Sequence, residues 1–213
     1  MATKTATVEV VAQPTSANGH ASSAGEQEYA IQVEVIGTSP LLMHRYDTVS
    51  VKAKGAAAKN SETKKTDDIE SYVYRDPSNK QIGIPGRNFL SCLREAARSI
   101  PDPRSPRKSA RDLVATGLRV EPFMAPLGKT TWDYIDEQRV VIMRSAVSRS
   151  RPAFKEGWKV SFRVLVLAPE YITETWLHEL IQRAGRFQGL LDARNIGYGL
   201  FRVASVKKVR LID

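Results

Sequence analysis

Residues 158–166, WKVSFRVLV, decide the fold class that the sequence predicts. Apolar and polar side chains alternate along this stretch, which is the pattern of a strand with one buried face. The apolar set is Trp158, Val160, Phe162, Val164 and Val166, and the polar set is Lys159, Ser161 and Arg163. Such a strand requires a second layer of structure over its apolar face.

The sequence on both sides of this strand supplies the partners that it needs. Downstream, Thr173 is a predicted N-cap, and apolar residues from Trp176 to Phe187 recur at helical spacing. A last strand is predicted in residues 200–212, LFRVASVKKVRLI. Upstream, Ile31, Val33 and Val35 alternate with polar residues, and the stretch RNFLSCLREAARSI at 87–100 has one apolar helical face.

The resulting order of elements is strand, helix, strand, strand, helix, strand, with the second strand expected at residues 139–145. The predicted fold class is therefore α+β, a ferredoxin-like (RRM-type) βαββαβ core with an antiparallel sheet and two packing helices. Residues 1–28 are expected to form a flexible tail, and residues 29–213 a domain with long insertions at about 45–70 and 101–137. Residues 47–67, rich in lysine, are expected to be a mobile loop.

Charge and composition narrow the expected partners and location. The 213-residue chain has a net charge of +9 and a pI of about 9.7, which favours nucleic acid as partner, although many basic proteins bind none. The N-terminus has no apolar signal segment, and no apolar run reaches the roughly 20 residues of a membrane span. With one cysteine, Cys92, no internal disulfide is possible, and a cytoplasmic location is expected.

The strongest local signal is GRFQGLLDARNIGYG, residues 185–199, between the last helix and the last strand. Glycine allows close approach to a phosphate, Arg186 and Arg194 are permanently charged donors, and Tyr198 can stack on a base. In the alternative interpretation the glycines only cap the helix and shape a turn, and Asp192 pairs with Arg194. The segment is neither a Walker loop nor a dinucleotide fingerprint.

Two further basic regions are candidates for phosphate contact. One is the predicted hairpin around residues 139–163, with Arg139, Arg144, Arg149, Arg151, Lys155, Lys159 and Arg163. Such residues give affinity without sequence preference, and the alternative is a solvated basic surface. The other is Arg87, at a helix start where free N–H groups can receive a phosphate. A plain helix start is the alternative there.

Catalysis has little support in the sequence, and the chain is predicted not to be an enzyme. No HExxH, CxxC or paired-histidine spacing is present, so no metal and no cofactor is expected. His44, followed by Arg45, Tyr46 and Asp47, is a candidate acid–base group for RNA cleavage by the 2′-hydroxyl. The alternative is that His44 and Arg45 only contact RNA.

These segments resemble the RAMP superfamily, the RRM-like subunits of CRISPR effector complexes. The resemblance lies in IGTSPLLMHRYD after the first strand, IGIPGRNFLSCLREA before and within the first core helix, and GLLDARNIGYGLFRV after the last helix. Residues 139–203 also resemble uncharacterised phage and prophage proteins. Two departures are that Leu200 stands where RAMP proteins often have arginine, and that no general base is placed as in their processing endoribonucleases.

The resemblance implies a non-catalytic backbone subunit that oligomerises along single-stranded RNA or DNA, RNA being favoured, with other effector subunits as further partners. The lysine-rich loop or the arginine hairpin would be its projection onto the strand or the next subunit. Two alternatives stay open. One is a metal-independent RAMP-type endoribonuclease that uses His44, and the other is a phage DNA-transaction or assembly protein that acts through protein partners.

Overall fold

The computed structural model describes residues 27–58, 61, 68–142 and 145–209. Its strands are β1 Tyr29–Gly37, β2 Leu41–Leu42, β3 Ile82–Pro85, β4 Pro101–Asp102, β5 Ser105–Ser109, β6 Leu118–Glu121, β7 Met124–Lys129, β8 Tyr134–Ile142, β9 Ser145–Phe154, β10 Lys159–Val166 and β11 Phe201–Val209. Its α-helices are α1 Thr48–Ala56, α2 Gly86–Ala96, α3 Arg111–Gly117 and α4 Glu174–Arg183, the last continued by a π-helical turn at Ala184–Gln188. None of the helices in these residues is long and apolar enough to cross a membrane.

A four-stranded antiparallel sheet in the order β11-β1-β10-β6 forms the centre of the molecule. The alternation that the sequence shows in β1 and β10 is the alternation of burial. Val33, Val35, Phe162 and Val164 are buried on one face, while Lys159 on the other face is exposed. The predicted α+β class is confirmed, with helices on the apolar face and an open polar face.

Helices α2 and α4 cover the apolar face through the residues that their sequence periodicity indicates. Phe89 of α2 stacks on Phe162 of β10, with ring centroids 4.2 Å apart. The thiol of Cys92 donates to the carbonyl oxygen of Ala184 at 3.6 Å, and burial raises the pKa of Cys92 to about 12. This cysteine is therefore a core residue and is not prepared for nucleophilic chemistry. The predicted N-cap of α4 is also confirmed, because Thr173 accepts from the N–H of Trp176.

A second sheet, in the order β2-β9-β8, stands outside the four-stranded one. Strands β8 and β9 form a long hairpin that pairs from Tyr134–Ala153 to Ile142–Ser145. Its base is joined to the core by β2, whose Leu41 pairs with Phe154. The hairpin therefore carries its basic residues away from the central sheet.

The structure corrects two expectations about elements. The second strand of the central sheet is β6, at Leu118–Glu121, and the described part of 139–145, residues 139–142 and 145, instead belongs to the outer hairpin. The segment expected to be loop from residue 47 contains α1, which begins where Asp47 accepts hydrogen bonds from the N–H and hydroxyl groups of Ser50. Residues 1–26 of the tail predicted at 1–28, and Arg144, lie outside the described residues.

Candidate nucleic-acid interface

The glycine-rich segment 189–199 lies against the connection between β1 and β2. The N–H of Gly199 donates to the carbonyl of Pro40 at 2.8 Å, and the N–H of Asp192 donates to that of Leu42 at 3.2 Å. Within the segment, the N–H of Leu190 donates to Gly199 at 2.9 Å. These backbone bonds hold the segment in one conformation beside His44.

Two glycines are required by close approach of backbone to backbone. Gly199 has φ +72°, and a Cβ there would lie 2.1 Å from the carbonyl oxygen of Leu190. A Cβ on Gly185 would lie 2.3 Å from the carbonyl oxygen of Phe201. The glycines predicted to admit a phosphate are thus used, at these two positions, to let the chain pack on itself.

Asp192 is the centre of the polar contacts in this region. Its Oδ2 atom lies 2.9 Å from Nε of Arg151 and 3.6 Å from Nδ1 of His44. Burial raises the pKa of Asp192, but the nearby His44, the N–H of Ala193 and the charge of Arg151 outweigh it and leave the pKa below its ordinary value. Asp192 is therefore an anion that neutralises Arg151, and the alternative pairing with Arg194 is wrong.

The residues on both sides of Asp192 are held in a strained backbone conformation. Leu191 has φ +62° and Ala193 has φ +55°, in the left-handed region that side chains other than glycine rarely adopt. Such residues cost on the order of 1–3 kcal/mol each and cluster at functional sites. Together the two residues set the backbone direction from which the Asp192 side chain projects.

Two adjoining depressions meet at this segment. The first has a volume of about 160 Å³ and is lined by His44, Tyr74, Asn88, Ser91, Leu191, Asp192 and Arg194. The second, of about 450 Å³, shares Leu191, Asp192 and Arg194 with the first and extends to Phe187, Gln188, Asn195 and Glu95, whose carboxylate pairs with Arg98 and Arg111. We refer to the two depressions together as the Arg194 groove.

Arg194 is the cation of this groove. Its side chain is half-buried and makes no hydrogen bond and no ion pair with any residue that the structure describes. Asp192, the acidic residue next to it, is already engaged by Arg151 and His44. The groove therefore has a spare positive charge beside the polar side chains of Asn88 and Ser91, which suits an anionic ligand.

Tyr198 and part of the arginine hairpin also come to the glycine-rich segment. The hydroxyl of Tyr198 accepts from Nε2 of Gln138 at 2.8 Å and donates to Oδ1 of Asp136 at 3.3 Å. Asp136 pairs with Arg151 across the hairpin, and Gln138 pairs with Arg149, so both arginines share the face that Tyr198 contacts. Tyr198 is half-buried and thus serves as a bridge to the hairpin.

The remaining predicted residues do not join the groove. Arg45 lies 3.8 Å from Asp47, and Arg186 lies over the ring of Phe187. Arg163 lies 3.9 Å from Glu121 on the open face of the central sheet. The exposed residues elsewhere are Arg87 at the start of α2, Arg139 on the hairpin, and Lys155 and Lys159 near its base.

Several lining residues were missed by sequence reasoning. Asn88 and Ser91 are one helical turn apart on α2, and Tyr74 comes from the connection before β3. Asn88 and Ser91 lie off the apolar face of their helix, which is a signal for exposure but not for a site. Asn88 and Ser91 line the groove only because residues 191–194, about 100 positions later in the chain, pack beside them.

No family model and no curated protein matches the sequence. Among solved structures, the fold is similar to that of a chain in the cryo-EM structure of the Type III-B Cmr-beta bound to cognate target RNA, with a TM-score of 0.53 and 10% sequence identity. The similarity covers 86% of this chain and 61% of that one, so this chain spans about three fifths of its length. At this identity the likeness concerns the fold.

Proposed function

We propose that this chain is a RAMP-like subunit that binds single-stranded nucleic acid, with RNA favoured, along the Arg194 groove. The observation that carries the proposal is the Arg194 guanidinium, half-buried, unpaired among the described residues and shared by two depressions. A half-buried arginine with no protein partner leaves its planar cation available to a ligand, and phosphate accepts from it in a bidentate manner.

The strand order supports a ferredoxin-like (RRM-type) βαββαβ core. Numbered along the chain, the four central strands are β1, β6, β10 and β11, and their order across the sheet is fourth, first, third, second. Helix α2 precedes the second strand and α4 precedes the fourth, and both lie on the same face. We assign β2 to β5, β7 and the outer hairpin of β8 and β9 to insertions in this core.

The described cations support a path for the nucleic acid backbone. Arg194 lies in the groove, and Arg149 follows on the hairpin face beside Tyr198, next to Arg151, whose charge Asp192 neutralises. Arg87 and Arg45 lie outside the groove and are next in sequence to its lining residues Asn88 and His44. Contacts of this kind give affinity for phosphates with little sequence preference.

We further propose that the subunit self-associates along the strand together with other subunits. The solved structure that it resembles is bound to cognate target RNA. The hairpin of β8 and β9, which stands outside the central sheet, is the projection that reaches the strand or the neighbouring subunit. Its exposed side chains, such as Arg139 and Ile135, are suited to a contact outside the core.

The test is the salt dependence of binding to single-stranded RNA, measured for the natural chain, Arg194→Ala and Arg107→Ala. Arg107 is an exposed arginine of β5 that lines neither depression, so Arg107→Ala removes the same charge as Arg194→Ala but outside the groove. Loss of one phosphate contact lowers the slope of log affinity against log salt by about 0.7. We expect this change for Arg194→Ala and a smaller one for Arg107→Ala.

Two outcomes contradict the proposal. One is an affinity for single strands that does not change between low and high salt. The other is an equal loss of RNA affinity in Arg194→Ala and Arg107→Ala, which would mean that Arg194 acts only through the net charge of the protein.

A second candidate function, RNA cleavage without a metal, is favoured by one contact. His44 Nδ1 lies 3.6 Å from Asp192, in a depression of about 160 Å³ that a single phosphate group can enter. In the reaction His44 Nε2 takes the 2′-hydroxyl proton, and the 2′-oxygen attacks the adjacent phosphorus. The 5′-oxygen leaves and takes a proton from water, and a 2′,3′-cyclic phosphate remains.

Incubation with labelled RNA tests this candidate. The cleavage products must end in a cyclic phosphate and must disappear in His44→Ala. Intact RNA, or cleavage that His44→Ala leaves unchanged, excludes the activity and leaves the binding function standing.

A further inference from the structure

A second hollow lies at the base of the outer hairpin, where two turns meet. One turn connects β7 to β8, and the other connects β9 to β10. Asp133 joins them: its carboxylate accepts from Nζ of Lys129 at 2.5 Å and from the N–H of Lys155 at 2.9 Å, and its own N–H donates to Ala153 at 2.9 Å. The hollow between the turns is therefore preformed.

The hollow has a volume of about 700 Å³ and is lined by the side chains of Lys129, Trp132, Lys155, Glu156, Trp158 and Lys159, among others. We call it the Trp132 hollow. Lys129 is neutralised by Asp133. The ammonium groups of Lys155 and Lys159 are exposed and make no hydrogen bond and no ion pair within the part of the chain that the structure describes. The hollow is thus lined by three lysines and by the two carboxylates of Asp133 and Glu156, so its charge is positive.

The two tryptophans have different roles in the hollow. Trp158 is only 3% exposed and donates its indole N–H to the carbonyl of Ser39 at 2.9 Å, so it belongs to the wall. Trp132 is half-buried: part of its ring packs on the core, and part lines the hollow. A ring held in this way is a fixed surface on which any base can stack, so binding there does not depend on the sequence of the strand.

Strand β9 connects this hollow to the Arg194 groove. Arg151 contacts Asp192 at the edge of the groove, and Lys155, four residues later, lines the hollow. At about 3.3 Å per residue of strand, these positions are about 13 Å apart along β9. The separation is within the reach of one extended single strand.

We propose that the Trp132 hollow binds a further nucleotide of the same strand, with its base on Trp132 and its phosphate between Lys155 and Lys159. This inference rests on the proposed function and adds to it a second contact that orients the strand. The chemistry is that of single-strand recognition by an aromatic surface with flanking cations. The groove supplies the first contact and the hollow the second.

Tryptophan fluorescence of the full chain, titrated with single-stranded RNA, tests the stacking. The chain has three tryptophans, and stacking on Trp132 quenches only that one. We expect quenching in the natural chain and in Arg107→Ala, and its loss in Trp132→Phe while binding persists. Quenching that is unchanged in Trp132→Phe overturns the inference.

Oligonucleotide length tests the connection between the two contacts. Affinity is measured for RNAs of about 4 to 16 nucleotides with two double variants. The first variant carries both Lys155→Gln and Lys159→Gln, and the control carries both Lys80→Gln and Lys207→Gln. Lys80 and Lys207 are exposed and line neither the groove nor the hollow. We expect the first double variant to weaken binding of long RNAs and to leave the shortest ones unaffected.

The outcomes separate this inference from the proposed function. Binding that is salt-sensitive and depends on Arg194, but is equal for the two double variants at every length, overturns the hollow alone. A natural chain that binds no RNA overturns the groove and the hollow together. A length-dependent loss confined to the Lys155 and Lys159 variant supports both.

Discussion

At the scale of single residues, Asp192 affects both the stability of the fold and the positive charge that is available to a ligand. Its carboxylate neutralises Arg151 and leaves Arg194 unpaired among the described residues, so it decides which arginine of the region is available to a ligand. The strained residues Leu191 and Ala193 hold it in this direction. A substitution that keeps its shape but removes its charge therefore has effects on both stability and binding.

Asp192→Asn is expected to lower the free energy of unfolding by about 1–2 kcal/mol near neutral pH, because Arg151 is left without its anion. The pKa of Asp192 is depressed in the folded chain, so its contribution is present above the unfolded-state pKa of about 3.9 and is lost as the pH falls through the folded-state pKa. Denaturant titrations should show the difference near pH 7 and not near pH 2. A loss of unfolding free energy that is the same at pH 7 and pH 2 contradicts the conclusion that the ionised carboxylate of Asp192 stabilises the fold.

Gly199 and Gly197 form a matched pair for testing close backbone approach. Both have positive φ, at +72° and +91°, but only at Gly199 would a Cβ collide with the backbone, whereas nothing lies within 4 Å at Gly197. Gly197→Ala is expected to cost about 1–2 kcal/mol from its conformation alone. Gly199→Ala should cost more or prevent folding, as measured by chemical denaturation. Equal destabilisation by Gly197→Ala and Gly199→Ala would contradict the close backbone approach at Gly199.

At the scale of elements, α1 is the least supported helix, and it follows directly after His44 and Arg45. It has no buried residue, and its N-terminus is capped by Asp47. Short helices without packing are marginal in water, so the cap has a large share in its stability. The segment was expected to be loop because it lacks apolar periodicity, and that lack is also the reason that none of its residues is buried.

Asp47→Ala should remove hydrogen-exchange protection from residues 48–56 and leave the global unfolding transition unchanged. The control is Thr173→Ala, which removes the cap of α4, a helix with Leu177, Leu180 and Ile181 in the core. That variant should lower the global free energy of unfolding by about 1 kcal/mol. A global loss in Asp47→Ala would show that α1 is part of the folding unit.

The elements also show how far sequence patterns predict this fold. Strands β1 and β10 and helices α2 and α4 were predicted because each is long and has one apolar face. Strand β6 lies within residues 101–137, which were assigned to an insertion and not to the central sheet. The hairpin strand at 139–145 has a stronger local pattern, but local pattern does not determine which sheet a strand joins.

At the scale of the whole molecule, the proposed assembly along a strand predicts how the purified protein behaves. Its absorbance ratio at 260 and 280 nm should indicate bound nucleic acid, and its size should fall after nuclease treatment, as measured by light scattering. The physical reason is that cationic subunits repel each other once the polyanion is removed. A stable size with a single protein partner and no nucleic acid would favour the phage assembly alternative.

The sequence by itself determined the class of the fold, the central strands β1 and β10, the packing helices and the basic character, because periodicity and charge are local properties. It also singled out His44, Arg151 and Arg194, but not their relation. Only the tertiary structure decided that Asp192 neutralises Arg151 and not Arg194, and that Asn88 and Ser91 complete the groove. The reason is that these contacts join residues far apart in the chain, and their distances depend on how the glycine-rich segment packs against β2 and the hairpin.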